Sequence, residues 1–185
     1  MLLACHHEGI VGYHDFFLDS DDDDNIVICL LMEFCDGGDL WERIATAQRE
    51  GAAVAPVVAA GWLLQITAAL RYLHAHEILH RDIKLENIFI TRDGAVAKLG
   101  DFGLAKAIER ESAEGGGGAK TQCGTPDYMA PEVLEGRAYS AKADVFSLGA
   151  VLYALLCANF PKMLALRLSQ GKRLEWPPAA AAQRE

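Results

Sequence analysis

The sequence predicts an α+β fold on three observations. Two apolar, β-branched-rich runs lie near the N-terminus with an acidic connector between them, a helical repeat follows Pro56, and a strand-turn-strand pattern surrounds Arg92-Asp93-Gly94. With 185 residues, 51% of them hydrophobic, the chain can bury one core and is unlike a disordered segment. Its 17 Lys+Arg against 26 Asp+Glu leave a formal net charge of −9, the wrong sign for gripping a phosphate backbone. Nucleic acid is therefore not an expected partner.

The elements follow in order. Residues 10–18 and 25–33 read as two strands, and Asp19-Ser20-Asp21-Asp22-Asp23-Asp24 as their exposed acidic turn. After Asp36-Gly37-Gly38, Asp39 is placed to cap a short helix reaching Gln48, because a carboxylate at a helix start satisfies free N–H groups. Pro56 opens a long helix in which Val57, Trp62, Leu63, Ile66, Leu70 and Leu73 recur at three- and four-residue steps. Residues 87–90 and 95–99 flank Asp93-Gly94, a hairpin signal. Residues 114–119 are glycine-rich and read as a flexible loop; with Glu114 and Ala119 where a phosphate-binding loop needs glycine, they do not make one.

Residues 143–157 return to an apolar helix, and the most apolar stretch, 145–160, is shorter than the roughly 18 residues of a membrane span. No membrane association is expected. Five cysteines without a C-x-x-C pair make poor disulfide arithmetic, and Met1-Leu2-Leu3-Ala4 lacks the basic flank and length of a signal peptide. Free thiols in a reducing, cytoplasmic setting are the expectation. The group Cys5, His6, His7 and His14 has no assignable metal-ligand spacing, and His74, His76 and His80 fall at the end of a helix, so neither reads as a zinc site.

The residues that carry chemistry are His80-Arg81-Asp82-Ile83-Lys84-Leu85-Glu86-Asn87, then Asp101-Phe102-Gly103, then Ala130-Pro131-Glu132. In this order, with a hairpin between the first two, they resemble the catalytic loop, magnesium loop and activation-segment end of a eukaryotic protein kinase. Lys84, two places after Asp82, and the run from Cys123 through Gly124-Thr125-Pro126-Asp127-Tyr128-Met129 are similar to the serine/threonine group. Within it, Glu33-Phe34-Cys35-Asp36-Gly37-Gly38-Asp39-Leu40, Ile78-Leu79-His80-Arg81-Asp82-Ile83-Lys84, Asn87-Ile88-Phe89-Ile90-Thr91 and Lys98-Leu99-Gly100-Asp101-Phe102-Gly103 look most like the NIMA-related (NEK) subfamily.

The resemblance implies a protein-kinase-like fold, mostly the helical C-terminal lobe with the hinge and the last strands of the N-terminal lobe. It divides the chain into residues 1–35, 36–176 and a tail from 177 to 185. It further implies transfer of the γ-phosphate of ATP, with Mg²⁺, to serine or threonine hydroxyls of protein substrates, with regulatory proteins as further partners. Phosphoryl transfer is mainly positioning and charge stabilisation, which suits these residue types. By resemblance Asp82 accepts the substrate hydroxyl proton, Asn87 and Asp101 hold the metal, Lys84 offsets charge on the transferred phosphate, and Thr125 bonds near Asp82 and Lys84. Met32 is the implied gatekeeper, and the backbone of Glu33 and Cys35 the adenine-binding hinge. Phe89 is the adenine floor, with Asp39 among the cofactor contacts.

Arg81 is implied to bind a phosphate on the activation loop, with Thr121 as first acceptor and Ser112 as second. His80 and Phe102 would form an internal stack, Asp144 would anchor the catalytic loop, and a buried Glu132 would need an arginine partner. Phe146 stands where the family usually has Trp. The chain shows no G-x-G-x-x-G loop and no strand-borne Val-Ala-Ile-Lys lysine, and it stops near Trp176-Pro177-Pro178. A truncated catalytic domain with little activity of its own is therefore expected, the alternative being a catalytically inactive interaction module.

Overall fold

The computed structural model describes residues 5–22, 25–102, 106–107 and 124–174. An antiparallel ribbon of β1 (Tyr13–Ser20) and β2 (Ile26–Met32) leads into a mainly helical body. The body holds α1 (Leu40–Glu50), α2 (Pro56–Ala75), β3 (Ile78–Leu79), β4 (Ile88–Ile90), β5 (Ala97–Leu99), β6 (Lys106–Ala107), α3 (Pro131–Leu134), α4 (Ala141–Cys157) and α5 (Leu164–Ser169). The strands form three separate two-stranded antiparallel pairs, β1 with β2, β3 with β6 and β4 with β5.

The ribbon starts later than the apolar run suggests, because residues 9–11 are used elsewhere. Val11 N–H donates to Leu99 O at 2.9 Å and Leu99 N–H to Gly9 O at 2.8 Å, so this segment lies along β5 and both Ile10 and Val11 are buried. The strand then runs through Asp19 and Ser20, and Asp21 closes the turn by accepting from Asn25 N–H at 2.9 Å. Asp39 caps α1 by accepting from Glu42 N–H at 2.8 Å, and Gly51 ends the helix in the left-handed region.

On α2, Ala59, Trp62, Ile66, Leu70 and Leu73 enter the core, where Leu40 and Ile44 of α1, Ile88 and Ile90 of β4, Leu99 of β5 and Val151 and Leu155 of α4 meet them. By length and composition this 20-residue helix, rather than the stretch at 145–160, could cross a bilayer, but its stripe of core contacts is that of a helix packed in a folded body. The same helix grips the β4–β5 turn. Trp62 Nε1–H donates to Gly94 O at 2.8 Å, and Gln65 accepts from Ala97 N–H at 2.6 Å while donating to Ala95 O at 2.9 Å. Asn87, read from sequence as the start of a strand, instead ends a 3₁₀ turn over Leu85–Asn87. The two-residue pairing of β3 with β6 and the short helices α3 and α5 have no periodic signature in the sequence.

Candidate active site

The segment from His80 leads through the 3₁₀ turn into β4, and one buried carboxylate fixes its course. Asp144, fully buried on α4, accepts from His80 N–H at 3.1 Å and His74 Nε2–H at 2.7 Å on Oδ2. On Oδ1 it accepts from Arg81 N–H at 3.0 Å and Tyr139 O–H at 2.9 Å. Burial by itself raises the Asp144 carboxyl, but the bonds from His74, the two amides and Tyr139 outweigh it and hold the group below its ordinary value. Arg81, itself buried, adopts φ +72°, a conformation that costs a non-glycine residue about 1–3 kcal/mol unless its surroundings enforce it.

His80 is fully buried, and burial pushes its pKa down, so it is neutral. Nε2 lies 3.0 Å from the Gly100 carbonyl, which can only accept, so the proton sits there and Nδ1 accepts from Asp82 N–H at 3.3 Å. Its ring lies 4.9 Å from that of Phe102, and Phe102 meets the Tyr13 ring edge-on at 5.9 Å. The stack thus runs from the catalytic loop into the ribbon. Tyr13 was not singled out from sequence, because its partner is distant along the chain and a tyrosine opening a strand carries no signal.

Asp82 is the centre of the cluster. Its Oδ2 lies 2.8 Å from Lys84 Nζ and accepts from Asn87 Nδ2 at 3.1 Å. Its Oδ1 accepts from Thr125 N–H at 3.2 Å and Thr125 O–H at 3.1 Å, while Lys84 Nζ donates to Thr125 Oγ1 at 3.3 Å. The side chains of Lys84 and Asp82 keep 21% and 10% of their surface, so this ion pair is mostly buried but not sealed from solvent. Asn87 Nδ2 also donates to Asp82 O at 2.8 Å, so Nδ2 is committed to Asp82 and Oδ1 is the atom left to act as a ligand. Asp101 is exposed, with φ +54°. An amide oxygen and a carboxylate form the hard-oxygen donor set that Mg²⁺ takes alongside substrate phosphates, so these two residues fit that ion. Among the described residues no three His, Cys, Asp or Glu side chains group as a metal site.

The hinge follows β2. Glu33 N–H donates to Gly12 O at 2.7 Å; its carboxylate takes Gly12 N–H at 3.1 Å and the Lys98 ammonium at 2.6 Å. Partial burial raises that carboxyl, yet the Lys98 and Gly12 bonds win and hold it low. Among the described residues nothing takes up the Glu33 carbonyl or the Cys35 amide, an acceptor and a donor of the kind an adenine edge needs. Burial pushes the Cys35 thiol up, with Glu33 adding to the shift, so it stays protonated. Met32 is half-exposed, Phe89 partly buried, and the Asp39 carboxylate is engaged at the α1 cap. Glu132 lies in the first turn of α3 and is partly buried. Thr121, Ser112 and Gly103 lie outside the described residues.

A carboxylate held between a lysine and a threonine, an asparagine and an aspartate suited to Mg²⁺, and a hinge with open backbone groups define a protein kinase domain. The model of the protein kinase domain matches residues 1–172, and the chain belongs to that family. Within it, the chain is 39% identical over 161 residues to "Serine/threonine-protein kinase Nek5" of Homo sapiens, covering 87% of this chain and 21% of that protein. It is 38% identical over 186 residues to "Serine/threonine-protein kinase Nek1" of Mus musculus (97% and 14%) and 36% identical over 177 residues to "Serine/threonine-protein kinase Nek3" of Mus musculus (92% and 32%). The chain thus spans a third or less of each of these relatives.

Proposed function

We propose that the protein transfers the γ-phosphate of ATP to serine or threonine hydroxyls of protein substrates. The observation that carries this reading is the bond from the Thr125 hydroxyl to Asp82 Oδ1, at 3.1 Å and beside Lys84 Nζ. It supports a seat in which an aliphatic hydroxyl meets a carboxylate that can take its proton, next to a cation. A substrate hydroxyl takes the same seat by displacing Thr125 from Oδ1; Asp82 then orients the hydroxyl and receives the proton as the oxygen bonds to the γ-phosphorus of ATP and ADP leaves. Lys84 offsets charge on the equatorial phosphate oxygens. Asn87 Oδ1 and Asp101 would hold Mg²⁺, which when bound neutralises charge on the phosphates. The Glu33 carbonyl and Cys35 amide orient the adenine.

In the full-length protein, Asp101→Asn is expected to abolish phosphate transfer to a protein substrate, and transfer persisting in that variant contradicts the reading.

A further inference from the structure

We propose that Tyr139 is a positioning residue of the catalytic loop, holding Arg81 in the left-handed conformation from which Asp82 is presented. Its consequence for activity rests on the phosphotransferase reading above; its structural content does not. Tyr139 lies in the connection between α3 and α4 and touches Arg81 by two routes. Its hydroxyl donates to Asp144 Oδ1 at 2.9 Å, the same oxygen that takes Arg81 N–H at 3.0 Å. Its ring faces the Arg81 guanidinium, 5.7 Å from the centroid, within cation–π range. One side chain therefore fixes the backbone of Arg81 through the carboxylate and its head group through the ring.

Both constraints fall where the backbone requires them. At φ +72° Arg81 has a standing tendency to relax, and such conformations persist only when their surroundings over-determine them. The other Asp144 oxygen is held by His74 and His80, so Oδ1 is the one that orients Arg81. Without the phenol, the carboxylate loses the donor that pins Oδ1 opposite Arg81 N–H. The residue displaced by any relaxation is the immediate neighbour of Asp82. Tyr139 also packs on the cluster of Met129, Ala130, Val133 and Ala143, so the connection beyond Thr125 is mechanically tied to the catalytic loop.

The test compares Tyr139→Phe, which keeps the ring and loses the hydroxyl, with Tyr139→Leu, which loses both, in the full-length protein. Residue-resolved hydrogen exchange of the Arg81 amide is read against the core amides of α2 and α4. Loss of the hydroxyl is expected to speed Arg81 exchange by about three- to tenfold with the core amides unchanged, and loss of the ring to speed it further. In steady-state assays kcat falls in the same order while KM for ATP holds, a split that general destabilisation does not produce. Arg81 exchange that is unchanged in Tyr139→Phe, or that rises only in step with the core amides, overturns the proposal. Should Tyr139→Leu fail to fold, Tyr139→Phe decides by the same criterion. An inactive parent protein would overturn the phosphotransferase reading alone, because the exchange comparison needs no turnover.

Discussion

Asp144 and His80 show how single buried polar groups set the site. Asp144→Asn keeps the shape but offers one carbonyl oxygen where four donors converge, and turns an N–H₂ toward two of them. It is expected to cost about 3–5 kcal/mol in urea unfolding. Because the folded pKa of Asp144 is depressed, its contribution is fully present above the ordinary aspartate value and is lost as pH falls through the folded one. His80 acts at higher pH. Its folded pKa is depressed by burial, so below its ordinary value of 6.5 the unfolded chain takes a proton that the folded state refuses. Stability should therefore fall with pH below that point by up to about 1.4 kcal/mol per pH unit. His80→Phe, which retains a ring against Phe102, is expected to flatten this slope in denaturation curves between pH 7 and 5.5. Equal slopes in the two proteins would show that His80 is not the titrating group.

At the scale of elements, the segment after the hinge carries most of the precision. Gly37 N–H donates to Ile90 O at 3.0 Å, and a Cβ at Gly37 would lie 2.3 Å from Thr91 O, closer than any real contact. Gly37→Ala must displace this strand-like segment from β4 and is expected to cost about 1–3 kcal/mol, read as a lowered urea midpoint. Asp39→Ala, losing only the α1 cap, is expected to cost about 1 kcal/mol.

The helices α1, α2 and α4 were legible in sequence because capping residues and a 3.6-residue period are local properties, and so was the hairpin around Asp93-Gly94. The pairing of Ile78 with Ala107 was not, since a two-residue strand has no period. In the site, Asp82, Lys84, Asn87 and Asp101 were named through the kinase motifs they resemble, and the short spacing of the first three lets them meet. His74 and Tyr13 were not. Their partners, Asp144 and Phe102, lie far along the chain and meet them only through the packing of α2 on α4 and of the ribbon on the body. Tyr139 is five residues from Asp144, but its contact depends on how the α3–α4 connection turns.

At the scale of the whole molecule, the helical body closes over its core while the ribbon does not. Phe16 pairs across the ribbon with Leu30, and Leu18 with Ile28, so these apolar side chains share one face. Together with Ile26 they expose a continuous patch, of the kind that drives association. The 185-residue chain is expected to self-associate at micromolar concentration, and the pair Ile28→Lys and Leu30→Lys to return it toward a monomer in light scattering. Both changes lie away from Asp82 and Lys84.

The central claim, that the cluster around Asp82 is a phosphoryl-transfer site, is tested most directly by steady-state phosphate transfer from ATP to a protein substrate. The comparison is full-length protein against its Asp82→Asn variant. The predicted result is a fall in kcat of about 10²–10⁴-fold with KM for ATP unchanged, because the proposed role puts the carboxylate on the substrate hydroxyl and not at the hinge. An Asp82→Asn protein that turns over as fast as its parent would contradict the account.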